Sequence, residues 1–359
     1  MNIVYVTGES YLDHSYTVVK EIAKHVQLKV FFIAKNRSPE IYHWIDKFRA
    51  ELVPRTRFRN PLAFFKELAF ILKLRGLHAD CIWFNTLNVY QAYLVKLLLK
   101  NYLVMVHDVE IHPESTDKHG VLSVKLTLKH HKSHIGVAGK TQASIFEKQF
   151  GFRPKVFQLP VIDYYKEAGT PVPEKTHSQK VRFFFFGSVE KYKGLETLLD
   201  AAEILDSLGL QYELNIYGRL KYDEDKFVER IKSLKSVNLA NSFIDYKDIH
   251  GIYAAGDMVV LPYRQVTQCG PLLIGYSENV PAIVSDQPGF REYADEGDSA
   301  LIFDNSPEGL ARKMEQVINE PAMLNRMSEY IKNTIYRKFS MQSLAEEYLK
   351  NFRECKESK

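Results

Sequence analysis

The chain has 359 residues, 45% of them hydrophobic and 26% charged, which is material for two folded domains and excludes a disordered or low-complexity protein. Charges recur from Met1 to Ala34, no apolar run approaches the roughly 20 residues of a membrane span, and three cysteines (Cys81, Cys269, Cys355) stand far apart in sequence, so neither a signal peptide, a transmembrane helix nor a disulfide framework is expected and a cytoplasmic setting is. The net charge of +4 conceals an uneven split, +9 for residues 1–165 (23 Lys and Arg against 14 Asp and Glu) and −5 for the rest, and a basic half of that kind is expected to face a membrane surface or a phosphorylated substrate.

The opening MNIVYVTG reads as a short buried strand ending at Gly8, followed by the helical spacing of SYTVVKEIAKH and a second strand, LKVFFIA. This is βαβ order, which calls for parallel strands and crossover helices. A helix is expected near NPLAFFKELAFILKLRG, with Asn60 as cap, Pro61 at its start and Gly76 as stop. Strand CIWFN, helix YQAYLVKLLLK, strand YLVMVH, strand IGVAG, helix TQASIFEKQFG and strand KVFQLP complete a first domain over residues 1–165.

The Pro-, Lys- and Thr-rich stretch around residues 166–180 lacks periodicity and is expected to be a linker. A second alternating series then runs over 181–335: strand VRFFFFG, helix GLETLLDAAEIL, strand YELNIYG, helix DKFVERIKSL, strand NSFIDY, helix IHGIYAAG, strand MVVLPY, helix PLLIGYSEN and strand PAIVSD. Residues 336–359 are expected to form a C-terminal helix that crosses back to the first domain. The fold class is therefore α/β, with two Rossmann-like, doubly wound parallel sheets whose ligands lie beyond the carboxyl ends of the strands and in the cleft between domains.

Within the second series, RQVTQCGPLLIGYSENVP follows a buried strand. A helix starting at Gly270 and Pro271 leaves its first N–H groups unpaired and aims them, with the helix dipole, at whatever lies in front. Taken alone, the stretch reads more readily as an ordinary loop between strand and helix.

The run of motifs FFGSVEKYKGLETLLDAAEIL (185–205), LNIYGR (214–219), IYAAGDMVVLPYR (252–264), TQCGPLLIGYSENVPAIVSDQPGFREY (267–293) and ALIFDNSPEGLARKM (300–314) resembles the donor-binding domain of the family-4 retaining glycosyltransferases of GT-B fold. Within that family it is similar to a subgroup with a Thr-Gln-Ser-Gly loop, here Thr267-Gln268-Cys269-Gly270. The first half resembles the family more loosely, through YLDHSYTVVKEIAKH (11–25) and VHDVEIHP (106–113).

The resemblance implies a glycosyltransferase that moves a sugar from a nucleotide-diphosphate sugar (UDP- or GDP-linked) to a glycan or lipid-linked acceptor with retention. Bacterial surface polysaccharide or lipopolysaccharide synthesis is the expected setting, at the inner face of the cytoplasmic membrane, with no metal, no other cofactor and no nucleic acid. It assigns Gln268, Cys269 and Gly270 to the sugar hydroxyls and the Leu272 N–H to a phosphate oxygen, with Pro271 unable to donate. Lys193 matches the lysine that pairs with the leaving diphosphate. Gly187 and Ser188 stand where the family has a glycine followed by an arginine, with Lys191 as a substitute charge. Two family glutamates eight apart fall on Thr267 and Gly275, with Glu278 three residues off, and Glu292 is left to touch the donor or cap the following turn. In the first half, His107, followed by Asp108, matches the histidine that approaches the donor sugar, and Gly8, Asp13 and His14 are assigned to the acceptor side.

Other signals have plainer readings. His130 and His134 in KHHKSH lack a third metal ligand and are expected on a polar helix face; Asp223-Glu224-Asp225 is expected to be an acidic first turn; the Gly8 loop lacks GxGxxG, and there is no Gx4GK[ST]. In WIDKFRAELVPRTRFRNPLAFFKELAF the apolar face carrying Phe64, Phe65, Leu68 and Leu72 is expected to pack on the sheet, leaving Arg55, Arg57 and Arg59 to reach anionic headgroups. Two other functions stay open: a GT-B-shaped nucleotide-sugar epimerase, and a binding protein that kept the fold and lost catalysis with Ser188, Thr267 and Gly275.

Overall fold

A computed structural model describes residues 1–35, 38–56, 62–110, 118–169 and 180–357. The chain forms two units, Met1–Pro160 with Met341–Lys359, and Val161–Ser340. The change of unit comes at Val161, ahead of the stretch read as a linker, and Tyr164–Ala168 is a short helix of the second unit. Most of the rest of that stretch lies outside the described residues.

The first unit is built on β1 (Asn2–Gly8), β2 (Gln27–Ala34), β3 (Glu51–Pro54), β4 (Cys81–Phe84), β5 (Tyr102–Val106), β6 (Ile135–Ala138) and β7 (Lys155–Phe157), in the spatial order β3-β2-β1-β4-β5-β6-β7. All pairs are parallel. The near-continuous Val, Ile and Phe runs of the central strands follow from burial on both faces. Trp83 on β4 is the pivot: it stacks on Tyr5 at 4.3 Å and on Phe157 at 5.3 Å, and meets Phe352 of the Met341–Glu357 helix at 5.2 Å. That helix is tied to β7 by Asn351 Nδ2 donating to the Val156 carbonyl and to the residue beyond β7 by the Tyr348 hydroxyl donating to Gln158. It also brings the Cys355 thiol beside Cys81, both buried and unoxidised.

The second unit carries β8 (Val181–Phe186), β9 (Tyr212–Tyr217), β10 (Val237–Ala240), β11 (Met258–Leu261), β12 (Ala282–Ser285) and β13 (Ala300–Phe303), in the order β10-β9-β8-β11-β12-β13 and again all parallel. In both sheets the chain reverses its direction of winding once, between β1 and β4 and between β8 and β11. Loops diverge there and leave a crevice at the strand carboxyl ends.

The structure departs from the pattern reading at several points. Strands β3 and β13 and the Pro39–Phe48, Lys118–His130 and Pro307–Asn319 helices are among the additional elements. The expected strand Asn241–Tyr246 is a turn and helix start, because β10 ends at Ala240 and the Asp245 side chain caps the Tyr246–Ala255 helix. His130 ends one helix and His134 lies in the following 3₁₀ turn, stacked on Tyr102 at 4.2 Å, so the two share no helix face. On the Ala63–Gly76 helix the inward residues are Ala63, Glu67, Phe70, Ile71 and Leu74, so Phe64, Phe65 and Leu72 point outward, although Leu68 does pack on the core. The cap and start assigned to Asn60 and Pro61 lie outside the described residues, as do Arg57 and Arg59.

Candidate functional site

In the second unit, residues from four segments converge at the β8–β11 reversal. Strand β8 ends in Gly187, whose φ of +112° suits glycine alone, and a side chain there would meet the Lys193 Nζ at 3.1 Å. Lys193 closes a single 3₁₀ turn, Lys191–Lys193, held by its own N–H on Glu190 and by the Arg264 N–H on the Tyr192 carbonyl. Its ammonium lies 5.5 Å from the Tyr263 ring centre and 6.0 Å from that of Tyr192. Burial lowers its pKa below the ordinary lysine value, opposed by Cys269 and Glu190. The Cys269 thiol is pushed up to about 12 by burial, so at neutral pH it carries no counter-charge. Among the described residues no carboxylate pairs with Lys193. A partly desolvated cation that faces aromatic rings and has no carboxylate in contact has the capacity to pair with an anion.

A helix start lies beside this lysine. The Gly270–Ser277 helix begins with Pro271 in its first turn and has no regular side-chain cap, although the Leu272 N–H is directed at the Cys269 sulfur and favours its thiolate form. A Cβ at Gly270 would have open space around it. Thr267, Gln268 and Gly270 are half-buried along this edge, while the side chains of Cys269 and Leu272 turn inward. Ser188 donates to Glu190 at 3.4 Å, Lys191 faces solvent, and Glu292 is half-buried at the end of the short Pro288–Arg291 helix.

Of the two places where the resemblance puts glutamates, Thr267 and Gly275, the second has a physical account. Gly275 is buried where an added Cβ would sit 3.3 Å from the Val280 carbonyl and 3.6 Å from Val259 of β11, so a carboxylate side chain has no room in this packing. Glu278 is buried at the opposite end of the helix, accepting from His250 Nδ1 at 3.0 Å with Lys166 at 3.9 Å, and burial raises its pKa. It is a structural ion pair, remote from the Thr267–Gly270 edge.

In the first unit the carboxyl ends of β1, β4 and β5 lie side by side, bringing Gly8, Asn85 and His107 to one edge. Ser15 Oγ joins the Tyr5 and Thr7 hydroxyls at 2.9 and 2.7 Å, and Asn85 Nδ2 lies 3.3 Å from Thr7 Oγ1 and 3.4 Å from Ser15 Oγ. With its amide nitrogen so engaged, fully buried Asn85 offers its oxygen to His107 Nε2 at 3.0 Å, which places a proton on that nitrogen. Tyr11 stacks on the His107 ring at 4.1 Å. Sequence reasoning missed this support; the only available signal was that CIWFN ends a strand in a polar residue. Asp13 receives the His14 N–H at 2.7 Å, and Asp108 follows His107 at the strand end.

His14 is buried against His107, ring centres 6.4 Å apart, and neither of its ring nitrogens has a partner. Burial, reinforced by His107, lowers its pKa to about 3. The unfolded chain therefore takes up a proton below about 6.5 that the native state refuses, and stability should fall as pH drops from 6.5 toward 3. His131, lowered to about 4 by burial, acts in the same window. We expect the denaturation midpoint to slope with pH by up to about 1.4 kcal/mol per unit per site, and His14→Phe to remove one site's share; an unchanged slope in the variant would show that His14 is protonated in the native protein.

Among the described residues no three His, Cys, Asp or Glu side chains gather as a metal site. Residues 180–320 match the family described as "Glycosyl transferases group 1". An uncharacterized glycosyltransferase of Methanocaldococcus jannaschii is 26% identical over 181 residues, covering 48% of this chain and 45% of that protein, so the chain spans less than half the length of the curated relative it matches. Among solved structures, a glycosyltransferase from Rickettsia africae superposes with a TM-score of 0.75 at 15% identity over 99% of this chain and 98% of its own. HepE of Anabaena, solved with UDP and glucose, gives 0.72 at 13% over 98% of each chain. WaaG, a glycosyltransferase of lipopolysaccharide biosynthesis, gives 0.63 at 15% over 95% of this chain and 98% of its own. The fold is GT-B, α/β with two Rossmann-like parallel-sheet domains, and the 180–320 segment matches the glycosyltransferase group 1 domain.

Proposed function

We propose that the whole chain transfers a sugar from a nucleoside-diphosphate sugar, UDP- or GDP-linked, to a glycan or lipid-linked acceptor with retention. The setting is bacterial surface polysaccharide or lipopolysaccharide synthesis at the cytoplasmic face of the membrane. The observation that carries this is the placement of the half-buried Lys193 ammonium against Gly187 and Tyr263, with no carboxylate in ion-pair contact among the described residues, beside the Gly270–Leu272 helix start. Lys193 would take up the charge that grows on the departing diphosphate, and the Leu272 N–H would hold a phosphate oxygen. That supply of positive charge is why we read the reaction as metal-independent. HepE, bound to UDP and glucose, and WaaG, of lipopolysaccharide biosynthesis, support the donor and acceptor classes by likeness of fold. For His107 we assign the sugar-facing role, with Asn85 fixing its ring.

A panel of UDP- and GDP-sugars screened by thermal shift should yield a stabilising donor, about 2.7 kcal/mol at 100 times its Kd. Free nucleoside diphosphate should then appear only when acceptor glycan is added; release without acceptor, or epimerised donor, would overturn transfer. Gly270→Val should fold normally, since its Cβ meets open space, yet lose donor affinity in calorimetry by crowding the backbone approach. Unchanged affinity would return that loop to a plain connection.

A further inference from the structure

Of the eleven large hydrophobic side chains exposed in the described chain, seven lie at three consecutive helices of the first unit, Ala63–Gly76, Val89–Leu98 and Lys118–His130. Leu97 is 78% exposed and Phe65 63%. Leu72, Tyr93 and Leu122 stand with them. The patch is continuous, because Phe64 meets Tyr90 across the first pair of helices at 6.0 Å and Tyr93 meets His130 across the second at 5.6 Å. A monomer rarely leaves so many large apolar groups together in water, so something covers them.

The charge around the patch says what. Lys66, Arg75, Lys96, Lys125 and Lys129 are exposed on the same helices, and Lys100 just beyond. The sole carboxylate of the three helices, Glu67, is buried and accepts hydrogen bonds from Thr56, Asn88 and Gln91. Among the described residues the outward faces of these helices carry cations and apolar groups, and the carboxylate that reaches them, Glu51 of β3, is already paired with Lys73; a surface with that excess of cations repels a second copy of itself and matches a layer of negative headgroups over hydrocarbon.

We propose that this three-helix face docks on an anionic lipid bilayer, with Phe65, Leu72 and Leu97 entering the headgroup boundary and the lysines pairing with lipid phosphates. No helix of the described residues is long and apolar enough to cross a membrane, so the contact is peripheral. It adds a surface to the proposed transferase and does not depend on the chemistry of transfer.

The test is co-sedimentation with vesicles of phosphatidylcholine alone or with one-third phosphatidylglycerol. The parent protein should pellet with the anionic vesicles, weakly with the neutral ones, and less as salt rises. Lys96→Gln, Lys125→Gln and Lys129→Gln should each weaken anionic-vesicle binding about fivefold, the equivalent of about 1 kcal/mol per charge. Phe65→Gln with Leu97→Gln, both exposed and therefore tolerated by the fold, should lower binding at least tenfold at high and low salt alike. Failure of the parent to pellet, or parent-like binding by both sets of variants, overturns the proposal. So does a dimer in light scattering that the Phe65→Gln, Leu97→Gln variant abolishes, since the face would then serve a second copy. Donor-induced thermal shift should be unchanged in every variant, which separates failure of the docking surface from failure of the transferase reading.

Discussion

Lys193→Met is expected to lower turnover by about 10² to 10³ while leaving the melting temperature equal to or above that of the parent. The two halves of this result have one cause. The half-buried Lys193 ammonium faces Tyr263 on a turn fixed at Glu190 and Tyr192, and among the described residues no carboxylate is in ion-pair contact with it, so the pull of Glu190 offsets its desolvation only in part. Folding therefore bears a desolvation cost that a methionine of similar length would not incur. The benefit appears only when a diphosphate arrives, because opposite charges attract most strongly where water has been excluded. Burial already lowers the lysine pKa, and a bound phosphate would raise it again, so donor binding should draw a proton onto Lys193 and weaken as pH climbs through the free-enzyme pKa. Steady-state kinetics, calorimetry across pH and a thermal melt test all three. A variant that melts lower and turns over normally would make Lys193 a structural residue.

The alternation of apolar runs with helical spacing made both sheets legible, since parallel strands buried on two faces leave a dense Val, Ile and Phe signature such as VRFFFFG. Partial burial hid one edge of the first sheet. Strand β3, ELVP, lies at a sheet edge with no fully buried residue, and its pattern carries no core signal. The same reasoning explains the Ala63–Gly76 helix: AFFKELAFILKLRG is apolar on nearly every face, so periodicity could not say which side meets the sheet. Its buried polar residue, Glu67, held by Asn88 and Gln91, was the feature that fixed the rotation, and its partners were unknowable from sequence. At the candidate site the glycines, Lys193 and the Gly270 helix start stood out because each follows a strand. Asn85 did not, because its role arises from three strand ends becoming neighbours.

Gly194→Ala should cost about 3 kcal/mol of stability in the second unit, far more than the same change at Gly209. Both glycines adopt left-handed backbone, φ +69° and +70°, where an L-residue costs roughly 1 kcal/mol. Their surroundings differ. A Cβ at Gly209 meets nothing within 4 Å, whereas one at Gly194 would fall 2.0 Å from the Pro262 carbonyl oxygen. That oxygen belongs to the backbone just beyond β11 and cannot swing aside as a side-chain tip would. The turn bearing Lys193 must therefore shift away, and overpacking of this kind typically adds 1–3 kcal/mol to the backbone strain. For a unit of this size the sum corresponds to a fall in melting temperature of about 6–12 °C, against a few degrees for Gly209→Ala. The displacement also has a functional signature, because Gly194 ends the turn whose last residue is Lys193. Donor affinity should drop in Gly194→Ala at temperatures where the variant remains folded, and persist in Gly209→Ala. Equal melting temperatures for the two variants would mean that the Pro262 loop yields easily, and that the position of Lys193 is set by the donor rather than by the fold.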